Sequence, residues 1–299
     1  MNNIKDLINV RTIIHLLGLA VIFESGFMLI DLLICVIYDM SSFKSIFLSF
    51  IITCTSGVIL FFTTSKNNGK YPTRKDSYVL VFLAWIFLSL FGTLPFLIST
   101  AIPKFTNALF ESVSGFTTTG ASILNDIEAI PRGILFWRSE THWIGGMGII
   151  LFMLAIFPFF KSGGVHLLSA ESSSVIFERI KPKLIDTIKR LWLIYLLLTV
   201  IETIFLHIEG MDVFDSLCHA FGTVATGGFS TKNNSIEGFS KYIQYTVLIF
   251  MILSGINFTL HYFLIKREFK KFITNEELKL YFSILVIAGV IVTLSESAQ

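Results

Sequence analysis

Thr117-Thr118-Thr119-Gly120 is a run of small hydroxylated residues closed by glycine, set within sequence otherwise apolar enough for a membrane. Ser114-Gly115-Phe116-Thr117-Thr118-Thr119-Gly120-Ala121 returns 107 residues later as Phe221-Gly222-Thr223-Val224-Ala225-Thr226-Gly227-Gly228. Gly115, Thr119 and Gly120 recur as Gly222, Thr226 and Gly227, and Gly148-Ile149 recurs at the same offset as Gly255-Ile256. A polar loop at membrane depth is costly unless it lines a cavity or pore. In an extended stretch, backbone carbonyls can replace the water shell of a cation. Glycine permits the backbone angles and close approach this needs. Neither loop holds a carboxylate, which argues against a ring of acids selecting a divalent ion. A repeated loop of this kind implies copies arranged around one axis.

Other polar residues also fall within the apolar sequence. Glu111 lies nine residues before Gly120; it adds negative potential near a pore mouth or braces the loop by hydrogen bonds, and bracing is favoured. Glu24 and Asp31 share a helical face in the first apolar run, where pairing with a neighbouring helix or an interfacial place is expected. Arg138, Glu140 and His142 are expected to open the helix after the first loop, Glu140 suiting its N-terminal dipole. Their spacing supports no metal site. Glu202, Asn257 and His261 read as interhelical hydrogen-bonding groups. An intramembrane enzyme using Glu202 or His207 with His219 lacks any convergent spacing and explains neither repeat. Gly145, Gly146, Gly148 and Gly255 either pack helices closely or act as hinges. Cys35, Cys54 and Cys218 stand singly, against a disulfide frame or a zinc site.

The elements that must position these residues follow from composition. The chain is 54% hydrophobic and only 15% charged, with 31 Phe, a membrane composition rather than a soluble one. The net charge of +2 sits in separate clusters and implies no nucleic-acid partner. Runs of spanning length fall near 13–37, 46–64, 79–100, 142–160, 191–208 and 243–265, with a seventh from Leu280 to Leu294. The amphipathic pieces 105–116 and 212–224 are too short to span and read as pore helices, dipping in and returning. With a cytoplasmic N-terminus, most of the 23 basic residues then lie inside, as the positive-inside rule requires. Each unit reads as outer helix, pore helix, loop, inner helix. Successive units share one orientation, as parallel repeats do.

These stretches resemble the TrkH/KtrB superfamily of potassium translocating subunits. The likeness is carried by Ala108–Ser122, Phe136–Ile150, His219–Lys232 and Gly255–Tyr262. It implies an all-α membrane protein with parallel repeats of outer helix, re-entrant pore helix, filter loop and inner helix, preceded by the two extra transmembrane helices of the TrkH branch. The expected divisions are 1–64 for that helix pair, 65–160 and 161–265 for two pore repeats, and 266–299 for the start of a third. The resemblance assigns ion-facing groups, where K+ would bind, to Thr118, Thr119, Ala225 and Thr226, with Gly120 and Gly227 as filter glycines. Thr117, Ala121, Val224, Gly228 and Glu111 would support them. It implies channel-like potassium transport across the inner cell membrane with no organic cofactor and no enzymatic activity. The implied partners are a second copy in a homodimer, the lipid bilayer and a cytosolic nucleotide-binding regulatory subunit. The basic segment 161–190 is either its docking site or plain positive-inside charge. One filter glycine per repeat leaves sodium-permeable or sodium-coupled behaviour open. The family pattern has four loops and this chain two, so the expectation is a fragment, with a non-conducting half-subunit as the alternative.

Overall fold

The computed structural model describes residues 8–64, 74–146, 148 and 175–297. Among these residues the regular structure is helical, with no strand. Helix α1 (Val10–Tyr38) and helix α2 (Phe43–Thr63) form an antiparallel hairpin around a 3-10 turn, Met40–Ser42. Asp39 stops α1 and accepts a hydrogen bond from the Ser41 amide at 2.9 Å. The two helices touch at glycines: a Cβ on Gly18 would sit 2.6 Å from the Phe61 nitrogen, and one on Gly57 2.9 Å from that of Ile22. Small residues let backbones approach where lipid offers no hydrophobic drive between helices.

Helix α3 (Arg74–Gly92) packs along α1 and passes into the short α4 (Leu94–Ile98). Then come α5 (Phe105–Phe116), a loop, and α6 over 132–146. The second half runs α7 (Val175–Ile208), α8 (Val213–Val224), a loop, α9 (Lys241–Gly255), α10 (Phe258–Ile265), α11 (Phe269–Ile273) and α12 (Glu276–Ser297). Among the described residues five helices are long and apolar enough to cross a membrane, or six spans if α9 and α10 count as one.

Three boundaries differ from the sequence expectation. Helix α6 starts directly after Pro131, whose carbonyl accepts from the Ile134 and Leu135 amides. Arg138, Glu140 and His142 therefore do not open it; they lie well inside and are buried. The hydropathy signal placed the start too late because these polar residues face other helices rather than lipid. Helix α7 begins at Val175, inside the segment expected as an inner loop. Charge ends a hydropathy window, but Glu, Lys, Arg and Leu are good helix formers and continue the helix. The expected single span 243–265 bends by 99° between α9 and α10. There Ile256 is extended and Asn257 caps α10, accepting from the Thr259 amide at 3.0 Å. Gly148 falls among the described residues, but Ile149 and the first part, 161–174, of the basic segment 161–190 lie outside them.

The core gathers around Trp137 of α6, whose indole donates to the Gly92 carbonyl at 2.9 Å. Met28, Cys35, Phe96, Ala108 and Phe116 bring α1, α4 and α5 against it. On its other side α6 sets Leu135 and Phe136 against Phe214, Cys218 and Phe221 of α8. One helix thus separates and holds both short helices. In contrast α12 leaves Ile284, Ile287 and Ile291 more than half exposed.

Candidate functional site

The two short helices end in the same way. Helix α5 caps at Thr117; the Thr118 amide donates to the Gly115 carbonyl at 3.0 Å and the Thr119 amide to Ser114 at 2.9 Å. Helix α8 caps at Ala225; the Thr226 amide donates to Thr223 at 2.9 Å and the Gly227 amide to Gly222 at 2.8 Å. Both are Schellman turns, which need a left-handed residue just past the cap, usually glycine. Here that residue is threonine twice, Thr118 with φ 53° and Thr226 with φ 56°. Two residues on, Gly120 has φ 77° and Gly228 φ 92°.

Every one of these pairs, and both ends of the helices, stands 108 residues apart. The sequence alignment at 107 holds the loops one residue out of register. By backbone geometry Thr119 matches Gly227, and Gly120 matches Gly228. Ala225 is the counterpart of the cap Thr117 and is 4% exposed, packed toward Gly146. Val224 ends α8 against Tyr195, while Thr117, Thr119, Ala121, Thr226 and Gly228 are exposed and Thr118, Gly120 and Gly227 half-buried.

The loops meet. A side-chain carbon on Gly120 would overlap the Gly227 carbonyl oxygen. Behind them stands α6, with glycines where the backbone must come close: a Cβ on Gly145 would overlap the Phe116 carbonyl, and one on Gly146 would lie 3.1 Å from the Ala225 Cα. Close packing is thus the use of these two glycines. His142 presses on Gly227 and stacks obliquely on Phe229 at 3.8 Å.

Glu111 is fully buried and holds the first loop, accepting from the Ser122 hydroxyl and the Ile123 amide, each at 2.9 Å. Its partner is Arg138, with Nε on the carboxylate at 2.6 Å, Nη1 on the Ser230 carbonyl at 2.9 Å and the guanidinium 3.6 Å from the centre of the Phe229 ring. One cation therefore ties both loops to α6. In the second loop His219 occupies the place of Glu111 and meets the Ser230 hydroxyl at 3.0 Å. Farther along, Asn233 joins the loops, donating to Asp126 at 3.0 Å and accepting from the Ile127 amide at 2.7 Å. The sequence reading missed Arg138, Ser230 and Asn233 as loop supports. The signal that could have found Ser230 was Ser122 recurring at the shifted offset; Arg138 and Asn233 left none in the repeat.

The profile of the TrkH family, described as cation transport protein, matches residues 42–295. The chain belongs to the TrkH family. This TrkH-family chain is 38% identical over 289 residues to the Trk system potassium uptake protein TrkH of Escherichia coli K12, covering 95% of the chain and 59% of that relative. It is 35% identical over 291 residues to TrkG, another Trk system potassium uptake protein of the same strain, covering 96% of the chain and 59% of TrkG. Among solved structures it superposes on the potassium transporter TrkH of Vibrio parahaemolyticus with a TM-score of 0.72 and 34% identity, over 85% of this chain and 51% of that one. The expected all-α membrane fold stands. The chain spans 59% of the length of the Escherichia coli relatives.

Proposed function

We propose that this chain supplies two of the loops that line a potassium-conducting pore. The observation that carries the reading is the contact of two loops with the same turn geometry, Gly120 against the Gly227 carbonyl. Threonine held at positive φ in both turns is strained where glycine would not be. Strain retained twice at equivalent places motivates a functional reading. In this reading the carbonyls of Thr118, Thr119 and Gly120 and of Thr226, Gly227 and Gly228 replace water around a dehydrated cation. Glu111, His219, Arg138 and Ala225 act behind them. The relatives' names as potassium uptake proteins support potassium as cargo. Entry would be passive, favoured by about 2.3 kcal/mol per charge per 100 mV of membrane potential.

The family pattern has four loops about the axis, and these two would supply half. A second copy and a cytosolic nucleotide-binding subunit remain the proposed partners, and the cell membrane the proposed site, N-terminus inside. The four divisions at 64, 160 and 265 remain proposals too, the middle one lying in the stretch outside the described residues.

Rubidium uptake by cells lacking their own potassium systems tests the filter. Gly120→Asp and Gly228→Asp should each abolish uptake while the protein still reaches the membrane. Normal uptake by either variant would remove that loop from the pore.

A further inference from the structure

Asp31 of α1 and Glu140 of α6 are both fully buried where Met28 and Cys35 of α1 pack on Gly133, Trp137 and Ile144 of α6, and their carboxyl groups adjoin. Both Asp31 oxygens and Oε2 of Glu140 receive no hydrogen bond from any donor among the described residues. The cation nearest in sequence, Arg138, is spent on Glu111, the Ser230 carbonyl and the Phe229 ring. Around the pair, α1 contributes Cys35, and α8 contributes Cys218 with Asp215 beyond it. On α6, Ser139 adjoins Cys218 and donates its hydroxyl to the Leu135 carbonyl. Lys232 is drawn to Asp215, at 3.8 Å on the exposed side. Among the described residues, no group facing the pair carries a positive charge.

Two carboxylates cannot both stay ionised in contact at low dielectric. Two adjoining carboxyl groups also need a hydrogen between them to bond. We propose that Asp31 and Glu140 form a proton-binding site, an acid–carboxylate pair that shares one proton and fastens the N-terminal helix hairpin to the helix behind both loops. Loss of the proton would set like charges face to face and part α1 from α6. The site is separate from the ion path and stands whether or not the loops conduct.

Infrared spectra of the protein in lipid vesicles at neutral pH test it. Wild type minus Asp31→Asn/Glu140→Gln should show one protonated-carboxyl band per chain, shifted by carbon-13 labelling of aspartate or glutamate. Bands from Glu24 or Glu202 persist in the variant and cancel. Asp31→Asn alone, whose amide replaces the proton as donor to Glu140, should lose the same band and stay folded, which guards against collapse of the double variant. The band should be indifferent to added potassium or sodium. A difference spectrum without the band overturns the proposal. So does a band that vanishes on adding either ion, which would make the pair a metal-cation site.

Discussion

The two short helices and their loops share a backbone and differ in what holds it. Both end in the same turn with threonine in the left-handed position, and both carry glycine two residues on. In the first, the grip on the serine comes from a carboxylate neutralised by Arg138; in the second, from a histidine ring. Geometry is repeated and chemistry is not. The matching backbone is what a common axis demands, while the anchors behind it are free to differ. The difference also makes the first loop the more costly to disturb, because its anchor is an ion.

The largest effect should follow removal of that ion's partner. Arg138→Met leaves Glu111 buried and uncompensated, a loss of about 3–5 kcal/mol, and frees both loops at once. It is read as a large fall in thermal stability in detergent. An equal effect from His219→Ala would erase the contrast between the loops. That variant takes the imidazole from the Ser230 hydroxyl, which keeps the Lys232 amide, and no charge is at stake, so about 1–3 kcal/mol is expected. Next comes Asn233→Ala, which cuts the exposed link between loops for about 1 kcal/mol. Paired spin labels beyond Asp126 and Asn234 should report a broader distance distribution, and an unchanged one would show that the Asn233 side chain does not set the spacing. Ser122→Ala should be the mildest, since Glu111 keeps the Ile123 amide and Arg138; a loss matching Arg138→Met would relocate the anchor to the serine.

Much of this was legible in the sequence. The short helices at 105–116 and 212–224 stood out because an amphipathic stretch too short to span, followed by Thr and Gly, has few other uses in a membrane. The register did not, because identity favours Thr119-Gly120 over Thr226-Gly227 while the backbone pairs Gly120 with Gly228. Letters align by chemistry; turns align by φ. Arg138 and Glu140 misled the helix boundary because burial by other helices hides polar residues from a hydropathy window. The contact of Asp31 with Glu140 joins α1 to α6, and no pattern within either helix announces it. The bend after Gly255 was half visible: the glycine was noticed, and Asn257 was read as an interhelical hydrogen-bonding group, which its bond to Glu277 makes it, but its second role as the cap that makes the break was not seen.

The measurement closest to the heart of the account is a density map of the protein in a bilayer with thallium in place of potassium. One thallium peak should lie between the loops, with oxygens of Thr118–Gly120 on one side and Thr226–Gly228 on the other. Peaks coordinated through Ala225, or loops that turn their carbonyls away from any common ion, would contradict it.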